Sequence, residues 1–159
     1  MYPPDDENYH PLATTRTMFI DKVDRGVAET ILEHLNASTA MLRVAQLRVL
    51  GGAMARVPLE ATAFAHRRSR IMVNCAAICE RVEEMPVHLP WVTTFAAALR
   101  QGDGGAYVNF LADEGAPRVR AAYPGATWDR LRAIKTQYDP TNLFRLNQNI
   151  PPSERQPKR

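Results

Sequence analysis

The 159-residue chain lacks the short motifs that mark the common cofactor and nucleophile sites. It contains neither a G-x-G-x-x-G run nor a P-loop, so no dinucleotide fingerprint or phosphate-binding loop is encoded in it. Its four histidines and two cysteines show no H-x-x-x-H or C-x-x-C spacing. No serine lies in a G-x-S-x-G elbow. The sequence therefore predicts no metal site and gives no support to a hydrolase.

An excess of one charge and long apolar runs are also absent. The formal net charge is +3, and residues 153–159 supply most of it, with Arg155, Lys158 and Arg159 against Glu154. The rest of the chain is nearly balanced and carries no basic stripe interleaved with aromatic residues, so we predict no nucleic-acid partner. No stretch approaches the roughly 20 apolar residues of a membrane-spanning helix, so we predict no membrane association.

Cysteine is scarce, and the two thiols stand in a poor position to pair. Cys75 and Cys79 lie in one predicted strand, which separates them by about 13 Å, whereas a disulfide needs Cα atoms closer than about 7 Å. We predict buried, reduced thiols, which suit a reducing compartment and a cytoplasmic location. The acidic, proline-bearing amino terminus is unlike a signal peptide, although a mature secreted domain is an alternative.

Apolar periodicity predicts an α+β fold in which helices back an antiparallel sheet. The first helix is predicted to begin at the N-cap Asp24 and to place its apolar residues on one face. The strand at 70–78 is apolar on both sides, so we predict that it is central and covered on both faces. The apolar face of the first helix comprises Val27, Ile31, Leu32 and Leu35. The other predicted elements are strands at 40–50, 61–66 and 106–111 and helices at 91–101 and 127–138.

Polar residues interrupt two of these predicted strands. Asn74 stands within an apolar run, and a buried amide must find hydrogen-bond partners. It is either a structural amide that ties neighbouring strands or a ligand contact. Tyr107 and Asn109 would share one face of a strand, where a phenol and an amide can reach one planar ligand together. The alternative for Tyr107 is simple packing.

Several runs in order resemble the carboxy-terminal region of the berberine bridge enzyme-like FAD-linked oxidases. The resemblance covers roughly residues 40–152. It implies a flavoenzyme in which a substrate alcohol or amine loses a hydride to flavin N5 and dioxygen then reoxidises the flavin, giving hydrogen peroxide. The runs that carry it are GGAMARVP (51–58), ATAFAHR (61–67), AYVNF (106–110), WDRLRAIK (128–135), YDPTNLFR (138–145) and NQNIPP (147–152).

The same resemblance implies roles for particular residues. Tyr107 matches a tyrosine that family members use as the general base on the substrate hydroxyl. Because a free phenol has a pKa near ~10, such a site must stabilise the phenolate. Asn109 matches an asparagine near the flavin ring, and Asn147 and Gln148 belong to a segment that returns toward the flavin. Asn74 falls near a position that faces the substrate, and a register shift of one residue would bring Cys75 there instead.

On this resemblance the chain divides into four parts. Residues 1–23 are an irregular lead-in, and residues 24–126 are a partial substrate-binding domain. Residues 127–152 form the C-terminal helix and a segment that packs toward the FAD domain, and residues 153–159 are a disordered tail.

Family members are much longer than this chain, and their amino-terminal part holds the FAD pyrophosphate. The resemblance therefore implies a partner chain that supplies the FAD-binding domain. Two alternatives follow from the same comparison. The chain could be a catalytically inactive fragment with the family fold, or a non-catalytic interaction module that covers its open sheet edge by forming a homodimer.

Overall fold

A computed structural model describes residues 12–102 and 104–153. Its elements form one three-stranded antiparallel sheet with helices, which confirms the predicted α+β class. In chain order they are β1 (Leu12–Ile20), α1 (Arg25–Ala37), β2 (Leu42–Val49), β3 (Ile71–Cys79), α2 (Met85–Ala98), α3 (Ala116–Ala122) and α4 (Ala126–Tyr138), with short 3₁₀ turns at Met54–Arg56, Val82–Glu84 and Val108–Phe110.

The predicted central strand is confirmed, because β3 lies between β1 and β2. Asn74 is opposite Thr17 on one side and Gln46 on the other. Since residues directly opposite in an antiparallel pair point to the same face, this register fixes both faces of the sheet. Val73, Cys75 and Ala77 point to the first face, and Asn74 points to the second.

Helices α1 and α2 cover the first face. Asp24 caps α1 as predicted, with its carboxylate accepting a hydrogen bond from the Val27 amide at 3.1 Å. Val27 packs on the core with two other apolar residues of the helix, Ile31 and Leu35, but Leu32 is 60% exposed, so its predicted place on the core face is wrong.

Helix α2 begins six residues before its predicted start at 91 and ends at Ala98. Pro86 stands in its first turn, where a missing N–H costs no helical hydrogen bond. Phe95 is fully buried against the sheet, and Trp91 donates its indole N–H to the His34 carbonyl of α1 at 2.9 Å. The two helices are therefore joined over one core.

The second face is covered by irregular chain rather than by long helices. Thr15 Oγ1 of β1 donates to the Phe110 carbonyl at 3.1 Å. His66 is buried, stacks on Phe19 with ring centroids 4.4 Å apart, and pairs with the Ala122 carbonyl through Nε2 at 3.2 Å. A small core behind this layer contains Ala106, Leu111, Val119 and Ala122.

Several predictions about elements are wrong. Residues 12–20 were assigned to an irregular lead-in, but they form β1, so the sheet domain does not begin at residue 24. Residues 61–66 form no strand, and residues 108–110 form a 3₁₀ turn in place of the strand predicted at 106–111. Helix α3 was not predicted. Residues 1–11 of the lead-in and residues 154–159 of the tail lie outside the described residues.

Candidate functional site

A row of ring side chains crosses the second face of the sheet. The ring centroids of Phe64 and His66 are 5.8 Å apart, and those of Phe64 and Tyr107 are also 5.8 Å apart. Tyr107 in turn contacts Phe110 at 5.6 Å, and the Arg48 guanidinium of β2 lies 4.9 Å from the Phe110 ring centroid. The phenol is therefore held by rings on both sides.

The 3₁₀ turn brings Tyr107 and Asn109 together. Asn109 Nδ2 donates a hydrogen bond to the Tyr107 hydroxyl oxygen at 2.8 Å. Tyr107 is half-buried and Asn109 is exposed, so the pair lies at the surface of the ring layer. The predicted meeting of phenol and amide is present, although a turn and not a strand produces it. An N–H donor on a phenol oxygen favours the ionised form of the phenol.

Asn74 lies on the same face as the ring row, in the centre of β3. Its side chain is 7% exposed, and its Oδ1 is buried without a hydrogen-bond partner among the described residues. A buried amide oxygen without a partner is uncommon in proteins and marks a place where a donor is missing. No contact among the described residues joins Asn74 directly to Tyr107 or Asn109.

Asn147 and Gln148 line a cleft of about 630 Å³ behind the 3₁₀ turn. Asn147 has φ 59°, a left-handed conformation that asparagine tolerates better than most residues. Gln148 Nε2 donates to the Leu111 carbonyl, which ties this segment to the chain just after Phe110. Asn149 Oδ1 in the same cleft is buried without a partner. The structure thus brings these amides near the turn, but not into contact with Tyr107.

A buried ion cluster beside the cleft was not predicted. Glu114 Oε2 lies 3.2 Å from Arg118 Nε and 3.5 Å from Arg16 Nε, and the glutamate side chain is 6% exposed. The spacing of Glu114 and Arg118 by four residues was the available signal. The cluster fixes the loop that carries one wall of the cleft.

Within residues 12–102 and 104–153 no group of three or more metal-ligating side chains is found. No helix in this part of the chain is long and apolar enough to cross a membrane.

Comparison with known proteins adds three relatives and one family. The sequence profile described as "Berberine and berberine like" matches residues 106–151. The FAD-linked oxidoreductase YvdP of Bacillus subtilis is 36% identical over 103 residues, which are 65% of this chain and 23% of that protein. Xylooligosaccharide oxidase of Thermothelomyces thermophilus is 44% identical over 66 residues, 40% of this chain and 13% of that protein.

The solved structure of BBE-like 28 from Arabidopsis thaliana shares the fold, with a TM-score of 0.77 at 22% identity. The match covers 91% of this chain and 34% of that one. The chain therefore spans about a third of that solved structure and about a quarter or less of these two curated relatives.

Proposed function

Because this chain belongs to the berberine bridge enzyme-like family of FAD-linked oxidoreductases and corresponds to its carboxy-terminal region, we propose that it forms the substrate-side part of an FAD-dependent oxidase of alcohols or amines. The observation that carries the proposal is the hydrogen-bonded pair of Tyr107 and Asn109 at the surface of the second face. An alcohol oxidase needs a base for the hydroxyl proton, and this pair is suited to that task.

The cofactor fits part of this surface. Asn147 and Gln148 would hold the flavin ring from the cleft, where the Asn149 carbonyl oxygen still lacks a donor, and Asn109 would contact it from the turn. No glycine-rich phosphate loop occurs in the sequence, so the pyrophosphate must be held by polypeptide that this chain does not supply. When bound, the flavin accepts the hydride from the substrate and passes the electrons to dioxygen, which leaves as hydrogen peroxide.

The chain's own residues would bind the substrate and move its proton. Tyr107 takes the hydroxyl or amine proton at its phenol oxygen as the adjacent C–H is lost as hydride, so the substrate gives up two electrons and two hydrogens. The Asn109 N–H on the same oxygen stabilises the negative charge before transfer. Asn74 presents its free carbonyl oxygen to a substrate donor on the same face.

The remaining part of the oxidase is proposed to come from a second polypeptide that carries the FAD-binding domain. This rests on length, since the matched segment is 23% of YvdP and 13% of xylooligosaccharide oxidase. The segment after α4 is proposed to pack toward that domain, because Phe144 is 78% exposed and Leu146 86% exposed although both are large and apolar.

The test is to produce this chain together with the YvdP polypeptide from which the matched segment has been deleted. Flavin absorbance of the purified complex and peroxide release on a panel of sugars and aromatic alcohols are then measured. Replacing Tyr107 with Phe should lower kcat by about 10²–10⁴-fold while the flavin colour remains, and Asn109→Ala should give a smaller loss.

Two results would contradict the proposal. A Tyr107→Phe complex with the wild-type rate would remove the base role. A complex that never retains flavin would favour the non-catalytic alternatives, in which the fold serves only as a fragment or an interaction module.

A further inference from the structure

The two edges of the sheet are finished differently. The Leu50 amide donates to the Arg70 carbonyl at 2.8 Å, one position beyond the end of the β2–β3 ladder. Hydrogen-bonded pairs alternate in an antiparallel ladder, so even-numbered residues of β2 and β3 bond each other and odd-numbered residues of β3 bond β1. The backbone groups of Thr15 and Thr17 therefore point outward from β1, and those of residues 43, 45, 47 and 49 point outward from β2.

Arginine side chains close the β1 edge. Arg118 Nη2 donates to the Thr17 carbonyl at 2.9 Å, and Arg16 Nη1 donates to the Thr15 carbonyl at 2.8 Å. Both acceptors are outward-pointing carbonyls of the edge strand. A strand whose outward carbonyls are already bonded cannot accept a further strand without losing these contacts.

The β2 edge has no such cover. No side chain or backbone group of residues 12–102 and 104–153 is seen to bond the outward groups of residues 43, 45, 47 and 49. The strand also exposes large apolar side chains, with Val49 84% and Leu42 53% exposed. An open, apolar edge is a template for pairing with another chain, and proteins usually blunt such edges.

We propose that the free edge of β2 receives a strand from the polypeptide that supplies the FAD-binding part, which extends this sheet across two chains. This identification of the partner rests on the proposed function. It is supported by length, because the structure shares its fold with a relative of which it covers only 34%. Main-chain hydrogen bonds to the outward groups would give the affinity, and alternate side chains would give the specificity.

Charge favours a different chain over a second copy of this one. β2 has the sequence LRVAQLRV, with Arg43 and Arg48 and no acidic residue. Pairing two copies would bring four arginines into one two-stranded ribbon, and like charges on neighbouring strands are destabilising. A partner strand with carboxylates near these arginines and apolar residues near Leu47 and Val49 would complement the edge.

The experiment uses two edge variants and a matched control. Ala45→Pro removes an outward N–H and leaves the inward ladder to β3 intact, as proline is tolerated on the open side of an edge strand. Arg43→Glu reverses the charge. Val87→Ser on α2 removes an apolar side chain that is 69% exposed but remote from the edge. Each variant is checked for folding by circular dichroism and mixed with the YvdP polypeptide lacking the matched segment.

Light scattering should show a one-to-one complex for the wild-type chain and for Val87→Ser, with binding at least tenfold weaker for both edge variants. The amides of residues 45 and 47 should gain protection from hydrogen exchange in the complex. Equal binding by folded edge variants would overturn the inference, as would the absence of any complex. A wild-type dimer that Ala45→Pro dissociates would assign the edge to a second copy. A complex without flavin would leave the edge inference standing and reject the proposed oxidase.

Discussion

At the scale of single residues, burial controls the chemistry of the two cysteines. Cys75 is fully buried in β3 on the first face, and burial raises the pKa of its thiol to about 12. Burial, together with the nearby Glu84 carboxylate, also raises the pKa of Cys79. The thiolate is the reactive form of cysteine, so both thiols should be inert in the folded protein, in agreement with their free state.

We expect neither thiol to react with a chromogenic disulfide reagent at pH 8 while the chain is folded. Both should react within minutes once the chain is denatured. The Cys79→Ser variant assigns any residual native reaction, because it leaves only Cys75. Native labelling at the rate of the denatured chain would show that β3 is not the covered central strand described above.

The residues of the candidate site could be predicted in kind but not in arrangement. Residue types alone indicated that Tyr107 and Asn109 act together, yet the period of a strand was the wrong reason, because the side chains meet across a 3₁₀ turn. A turn of three residues has no period to detect. Glu114 was missed because nothing in the sequence shows that Arg16, about a hundred positions away, approaches the same carboxylate.

At the scale of elements, one carboxylate orders the segment that follows α4. Asp139 accepts hydrogen bonds from the amides of Leu143 at 2.7 Å and Phe144 at 3.0 Å, and it pairs with Lys135. The Lys135 side chain lowers the pKa of Asp139, and the two amide donors act in the same direction. The exposed Leu143 and Phe144 are thus displayed on an ordered backbone.

We expect Asp139→Asn to loosen this segment while α4 remains folded. A lowered carboxyl pKa contributes stability that is fully present above the ordinary aspartate value of ~3.9. That stability is lost as pH falls below this value and through the lower folded-state pKa. Hydrogen exchange at the Leu143 and Phe144 amides should therefore accelerate below about pH 4 in the wild-type chain, and at all pH values in the variant. An unchanged exchange profile in Asp139→Asn would contradict the role of this cap.

Elements with strong periodicity and clear end signals were predictable. Asp24 and Pro140 bracketed α1 and α4 correctly, and the two-sided apolar run identified β3. β1 was missed because its segment LATTRTMFI is half polar, with threonines such as Thr17 buried in the sheet. Threonine is β-branched and suits a strand, but its hydroxyl hid the apolar pattern. The loop at 61–66 was mistaken for a strand because its aromatic and alanine residues pack without regular backbone pairing.

At the scale of the whole molecule, one arginine joins the sheet to the layer that carries the site. Arg118 of α3 donates to three acceptors: Glu114 Oε2 at 3.2 Å, the Gly104 carbonyl at 3.0 Å and the Thr17 carbonyl of β1 at 2.9 Å. It therefore connects β1, the chain before the 3₁₀ turn and α3. The second face has no long helix to hold it, so polar contacts of this kind replace apolar packing there.

We expect Arg118→Met to destabilise the chain by about 2–3 kcal/mol, because it leaves Glu114 buried with Arg16 as its remaining partner. At about 2–4 °C per kcal/mol for a domain of this size, the melting temperature should fall by roughly 5–10 °C. Arg25→Met, which removes an exposed arginine paired with Glu29, is the matched control and should change stability by less than about 0.5 kcal/mol.

The same substitution also uncovers the Thr17 carbonyl on the β1 edge. If arginine contacts keep that edge closed, Arg118→Met should self-associate with rising concentration, whereas the control should behave as the wild-type chain does. Sedimentation at several concentrations separates this effect from the loss of stability, because a merely less stable chain would melt earlier without assembling while folded. A variant that melts with the wild-type chain and stays at the same mass would show that the ring layer, with Phe19 on His66 and Thr15 on the Phe110 carbonyl, holds the second face without the arginine.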